Sequence, residues 1–90
     1  MVAKSSKNAK SIAPEDSPIF EELRKLRLVL AKEADIPPFV IFHDSALREM
    51  ARVRPTTISK FAQISGVGQT KLQRYGEEFV GVIRQYCENH

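Results

Sequence analysis

The sequence contains no tryptophan, one cysteine (Cys87) and two histidines (His43 and His90). A single thiol cannot close an internal disulfide, so a disulfide-stapled secreted scaffold is excluded. Cys87 follows Tyr86 near the end of an apolar pattern, where a partly buried structural thiol is expected rather than a nucleophile. One cysteine and two distant histidines lack the ligand spacing of a zinc site, and no metal is expected. No apolar run approaches the roughly 20 residues that a membrane span requires. The start of the chain carries Lys4, Lys7 and Lys10 without the apolar core of a signal peptide. The expectation is an intracellular protein with no membrane partner.

Catalytic constellations are also missing. No Gly-Lys-Ser/Thr phosphate loop is present, so the chain itself is not expected to hydrolyse nucleotides. His43 beside Asp44 reads as the start of a helix, with a capping or solvent role, and His90 is the terminal residue. No catalytic residue and no cofactor are assigned.

What is present fits one domain. The chain has 90 residues, 42% hydrophobic and 28% charged, an ordinary globular balance. Five phenylalanines and two tyrosines supply its aromatic surface. A formal net charge of +3 permits a polyanionic partner without requiring one.

Residues 1–17, rich in Ser, Lys, Asn and Ala, lack periodicity and read as a flexible tail or linker. Residues 18–90 read as the folded domain. Ser17 is a plausible N-cap and Pro18 fits the first position of a helix expected to run to about Ala34. Ile19, Leu23, Leu26 and Leu30 form its apolar stripe, widened by Phe20 and Val29. Glu21 and Lys25 have the spacing of an i,i+4 pair. Pro37-Pro38 ends that helix. Phe39 to Phe42 then reads as a buried connector or a single helical turn.

Asp44 is expected to cap a second helix through about Val53, with Leu47, Met50 and Ala51 inward. After Pro55, Thr57 caps a third, with Ile58, Phe61 and Ile64 toward the core. Ser65-Gly66-Val67-Gly68 turns into a fourth helix, Gln69 to Tyr75. Gly76 is its expected C-terminal stop, and Glu77 and Glu78 open a fifth that runs to about Cys87. Phe79, Val80, Ile83 and Tyr86 face inward. Short loops without strands imply an all-α, compact orthogonal bundle of about five helices containing a helix-hairpin-helix-like turn.

Three features could meet a ligand. The Gly66-Val67-Gly68 turn lets backbone approach a phosphate, and the first amides of the following helix point outward with the positive end of its dipole. Val67 would plug the turn into the core, and Lys71 and Arg74 would add charge. The same turn also reads simply as a tight connection. Phe39, after a stiff double proline, is either a surface ring on which an unpaired base stacks or a core residue with Ile41 and Phe42. Arg24, Lys25, Arg27 and Lys32 on the first helix, and Arg48, Arg52 and Arg54 near the second, offer basic faces diluted by Glu21, Glu22, Glu33 and Glu49.

Several stretches, in this order and spacing, carry a family resemblance. They are Leu23-Arg24-Lys25-Leu26-Arg27, Ile36 to Phe42, Leu47 to Ala51, Arg54 to Thr57, Gly66-Val67-Gly68, and Lys71 to Gly76. From Ile19 to about Tyr86, about three quarters of the chain, the sequence resembles the HRDC domain, the helicase-and-RNase-D C-terminal module. The resemblance implies an accessory domain of a RecQ-type DNA helicase, or otherwise of a ribonuclease D. It implies weak binding to single-stranded or branched DNA, association with the chromosome, and Phe39 in the position of a base-stacking aromatic. A tyrosine is familiar there, so Phe39 lacks a hydroxyl and keeps the face. The expected nucleic-acid residues are Phe39, Gly66, Val67, Gly68, Lys71, Arg74, Lys25 and Arg24. The isolated domain is expected to be a monomer. The alternative is a protein-interaction module that docks on its own helicase core or on a partner, with little DNA affinity.

Overall fold

Ser17 is the first of the described residues and opens a helix. Its backbone is extended at the N-cap position, Pro18 occupies the first helical turn, and the carbonyl of Ser17 accepts from the amides of Phe20 and Glu21. The computed structural model describes residues 17–89; segment 1–16, with Lys4, Lys7 and Lys10, and His90 lie outside the described residues. Among the described residues the elements are α1 (Pro18–Ala34), α2 (Pro38–Ile41), α3 (Asp44–Val53), α4 (Ile58–Phe61) and α5 (Gln69–Asn89), with no strand. The all-α bundle is therefore as the pattern implies.

Helix α1 has the expected bounds. Ile19, Phe20, Leu23 and Leu30 are buried and Leu26 packs against the core, but Val29 is 51% exposed. Val29 lies one residue, about 100°, from Leu30 on the helix, which turns it to solvent. The expected Glu21–Lys25 pair is replaced by Glu21–Arg24 at 2.9 Å and Glu22–Lys25 at 3.9 Å, both at i,i+3. The largest departure is Arg27. It is not on a basic surface: it is 8% exposed, within the inward stripe between Leu23 and Leu30.

The double proline yields the single turn α2, with Pro38 at its start and Ile41 buried. Helix α3 starts one residue away from expectation. His43 is the N-cap and Asp44 the first helical residue, because the Asp44 carboxylate is taken by Arg27 instead of by the helix's own amides. Ala46, Leu47, Met50 and Ala51 are buried. Arg54 leaves α3 with φ 54°, its guanidinium over the Tyr86 ring, and Pro55 is fully buried. Thr57 caps α4 as expected, its hydroxyl accepting from the Lys60 amide. Phe61 and Ile64 are buried, whereas Ile58 is 39% exposed.

Gly76 does not stop a helix. Helix α5 runs unbroken from Gln69 to Asn89, and Gly76 is buried within it. A Cβ there would lie 3.1 Å from Leu72 Cδ1 and 3.4 Å from Ile58 Cδ1. The glycine thus serves close packing of α4 on α5 rather than chain reversal. Glu77 and Glu78 are mid-helix residues. Cys87 is exposed, contrary to its expected partial burial, since it lies one step beyond the inward Ile83–Tyr86 face.

Helix α1 packs against α2, α3 and α5, and α4 packs against α5. Phe42 sits at the centre, its ring edge-on to Phe79 at 5.0 Å, Phe61 at 6.0 Å and Tyr75 at 6.1 Å. Edge-to-face is a favoured geometry for aromatic pairs, and these contacts anchor the link between α2 and α3.

Candidate nucleic-acid interface

The helical turn after Pro37 divides the aromatic cluster. Ile41 and Phe42 go fully into the core, and Phe39 is left 57% exposed. The core reading of Phe39 therefore fails. Its ring lies beside that of His43, with centroids 6.1 Å apart and planes within 25°. The two are four residues apart, across the link between α2 and α3. Pro38, Phe39, His43, Ser45 and Arg48, together with Arg27 and Asp44, line an open depression of about 570 Å³.

Arg27 fixes this end of the molecule. Its Nη1 donates to the Phe42 carbonyl at 3.0 Å and to Asp44 Oδ1 at 2.7 Å. That guanidinium holds the Asp44 carboxyl below the ordinary range, chiefly through its hydrogen bond; desolvation opposes the shift, and the charges of Arg27, Arg48 and Arg24 add to it. Arg24 and Arg48 therefore both act on the α3 start, although Arg24 is also held by Glu21. Lys25 pairs loosely with Glu22.

The second candidate feature is the turn between α4 and α5. Amides of Gln63, Ile64 and Val67 bond successively to carbonyls of Lys60, Phe61 and Ile64. Gly66 takes φ +96°, which side-chain-bearing residues seldom adopt, and a Cβ there would lie 3.3 Å from Ala46 Cβ. Ala46 is in the first turn of α3, so the glycine pins this turn to the same helix start. Val67 packs partly against the core. Gly68 has open space around its Cβ position, and its carbonyl accepts from the Leu72 amide, making it the N-cap of α5. Gln69 and Thr70 are exposed, and the first-turn amides there have no acceptor within the helix. Lys71 is half-buried, its Nζ 5.8 Å from the centroid of the Phe42 ring. Arg74 is exposed.

The two features meet through Phe42 and α3. Phe42 follows the Phe39 turn, carries Lys71 over its ring and gives its carbonyl to Arg27, while Ala46 underlies Gly66. Arg24, Lys25 and Arg74 lie on the surfaces of α1 and α5. Sequence reasoning missed the partnership of His43 and Arg48 with Phe39; the i,i+4 spacings Phe39–His43 and Asp44–Arg48 were its signal. A larger groove of about 880 Å³, bordered by Thr57, Ile58, Gly81, Arg84 and Cys87, lies elsewhere along α4 and α5. Among the described residues no cluster of His, Cys, Asp and Glu could hold a metal ion, and no helix is long and apolar enough to cross a membrane.

The HRDC domain family matches residues 16–83. ATP-dependent DNA helicase RecQ of Haemophilus influenzae is 40% identical over 75 residues, 83% of this chain and 12% of that protein. RecQ of Bacillus subtilis is 38% identical over 73 residues, 81% of this chain and 12% of its own length. ATP-dependent DNA helicase UvrD2 of Mycobacterium tuberculosis is 33% identical over 77% of this chain and 10% of that protein. The third HRDC domain of Deinococcus radiodurans RecQ superposes with a TM-score of 0.74 at 32% identity, covering 77% of this chain and 91% of that domain. The chain thus spans about an eighth of the length of the RecQ relatives it matches.

Proposed function

The chain belongs to the HRDC family, an accessory module of RecQ-type helicases, and from that premise we propose that it binds nucleic acid as an auxiliary domain of such a helicase. It contacts single-stranded or branched DNA mainly through phosphates and tunes which substrate the motor engages. The motor supplies ATP-driven unwinding; this domain contributes binding and carries no reaction of its own. Association with the chromosome follows from that role.

The observation that carries the reading is the exposure of Phe39. A phenyl ring more than half open to solvent is held at the head of a rigid turn while its neighbours Ile41 and Phe42 are wholly buried. A ring so placed offers a face to an unpaired base, an interaction of roughly 1–3 kcal/mol that tolerates any sequence. The amides at Gln69 and Thr70, with Lys71 in the same turn and Arg74 about one turn on, form the seat for phosphate. Gly66 and Gly68 let the strand approach, Val67 anchors the turn, and Arg24 and Lys25 extend the track along α1 by exchanging Glu21 and Glu22 for phosphate. The modest net charge of +3 implies weak binding with little base readout.

The test is binding of a labelled oligonucleotide by the Phe39→Ala and Lys71→Ala variants. Phe39→Ala should weaken single-strand affinity by about fivefold to a hundredfold, and Lys71→Ala by less, with both proteins still folded. Unchanged affinity in both variants contradicts the site. A second reading, docking on the helicase core, draws on the exposed neighbours Leu28 and Val29 of α1. It requires that the wild-type chain fail to bind DNA even at low salt.

A further inference from the structure

The Phe39 face does not stand alone. His43 is exposed, its ring is within 25° of parallel to that of Phe39, and the same depression has Ser45 and Arg48 on its wall. We infer that His43 is a second stacking surface and that Arg48 holds the phosphate joining two bases, so that the depression seats two successive unpaired nucleotides. This inference rests on the nucleic-acid reading above and names the part of the strand that this site takes.

Geometry argues for unpaired strand. The ring centroids are 6.1 Å apart, against a rise of ~3.4 Å per base along a duplex strand. Two bases laid on these rings are drawn out of helical stacking, which a duplex resists and a single strand permits. The near-parallel planes let both bases lie flat with one tilt. The His43 backbone is also fixed, since the residue is the N-cap of α3 and its carbonyl accepts from the amides of Ala46 and Leu47. The backbone that carries the ring is thus set in place before a base lands on it.

Charge selects where a phosphate can sit. Asp44 shares the depression, but its carboxylate is bound by Arg27 at 2.7 Å. With that charge offset, Arg48 is the cation on the wall that a phosphate meets. Arg48 is exposed and makes no ion pair among the described residues. Arg24, by contrast, is committed to Glu21 at 2.9 Å. Arg48 is therefore the cation at this site that needs no existing bond broken to meet phosphate.

The experiment uses the full 90-residue chain and a fluorescein-labelled oligothymidylate, with a duplex of the same length as comparison. His43→Asn removes the ring but keeps a residue favoured at an N-cap, and His43→Phe restores a ring without imidazole nitrogens. Helix content by circular dichroism establishes that each variant is folded. His43→Asn should lower single-strand affinity about fivefold or more and shrink the preference over duplex, while His43→Phe recovers most of it. Arg48→Ala should weaken binding and reduce the slope of log affinity against log salt by about one. If Phe39→Ala loses binding while His43→Asn and Arg48→Ala match the wild type, the two-nucleotide seat is wrong and the broader nucleic-acid reading survives. If His43→Asn loses affinity and His43→Phe fails to regain it, the ring face is not what matters and the inference falls. If the wild type binds no single strand at low salt, both readings fall together.

Discussion

Arg27 concentrates the chemistry of the fold at a single residue. A guanidinium at an inward position of α1 bonds the Phe42 carbonyl and the Asp44 carboxylate, tying α1 to the link that follows the Phe39 turn and to the start of α3. Its Nε is buried without a hydrogen-bond partner among the described residues, so part of its desolvation cost is not recovered. Arg27→Ala leaves the Phe42 carbonyl unsatisfied and removes the packing of its stem. A loss of about 1–3 kcal/mol is expected, read as a drop in melting temperature. Asp44 supplies the pH dependence. Its folded pKa is depressed by Arg27, so its stabilising contribution is complete above the unfolded carboxyl value of about 3.9 and is lost as pH falls through the lower folded value. Asp44→Asn should therefore flatten the acid limb of a plot of melting temperature against pH. An unchanged acid limb would show that this ion pair contributes nothing. The sequence carried a faint mark of this lock, an arginine in phase with Leu23 and Leu30. Its partners, fifteen and seventeen residues on, could be found only from the fold.

At the scale of elements, local signals read well where local physics decides. Ser17, Pro18 and the Ile19–Leu30 stripe set the bounds of α1, and Thr57 caps α4, because N-caps and periodicity act within one turn. The failure at Gly76 has the opposite cause. Glycine is a common helix stop, but the stripe Leu72, Tyr75, Phe79, Ile83 and Tyr86 keeps one helical phase straight through it. Packing of Ile58 and Leu72 against the missing Cβ explains the residue better than a cap does. The glycines should accordingly separate by experiment. Gly81 is exposed in mid-helix with open space at its Cβ position, so Gly81→Ala should stabilise by about 0.8–1 kcal/mol. Gly66→Ala meets φ +96° and Ala46 Cβ at 3.3 Å and should destabilise by about 1–3 kcal/mol. Chemical denaturation of both variants checks the opposite signs; a stabilising Gly66→Ala would contradict the strained turn described above.

For the whole molecule, the features proposed to face a strand gather where α2, α3 and the start of α5 converge on Phe42. The sequence and its HRDC resemblance singled out Phe39 and the Gly66–Gly68 turn. Composition could not tell which cations are free to act, because that depends on which carboxylates lie within bonding reach: Arg24, Lys25 and Arg52 are paired with carboxylates one turn away, whereas Arg48, whose charge reaches Asp44, and Arg74 form no ion pair among the described residues. The proposed interface would bind by charge and stacking, so its affinity should follow the salt. The most direct measurement is a titration of the wild-type chain into labelled single-stranded DNA at about 50 and 200 mM salt. Single-strand binding that exceeds duplex binding and weakens steeply between the two concentrations is the predicted result. Affinity that is absent at the lower concentration, or indifferent to salt, contradicts it.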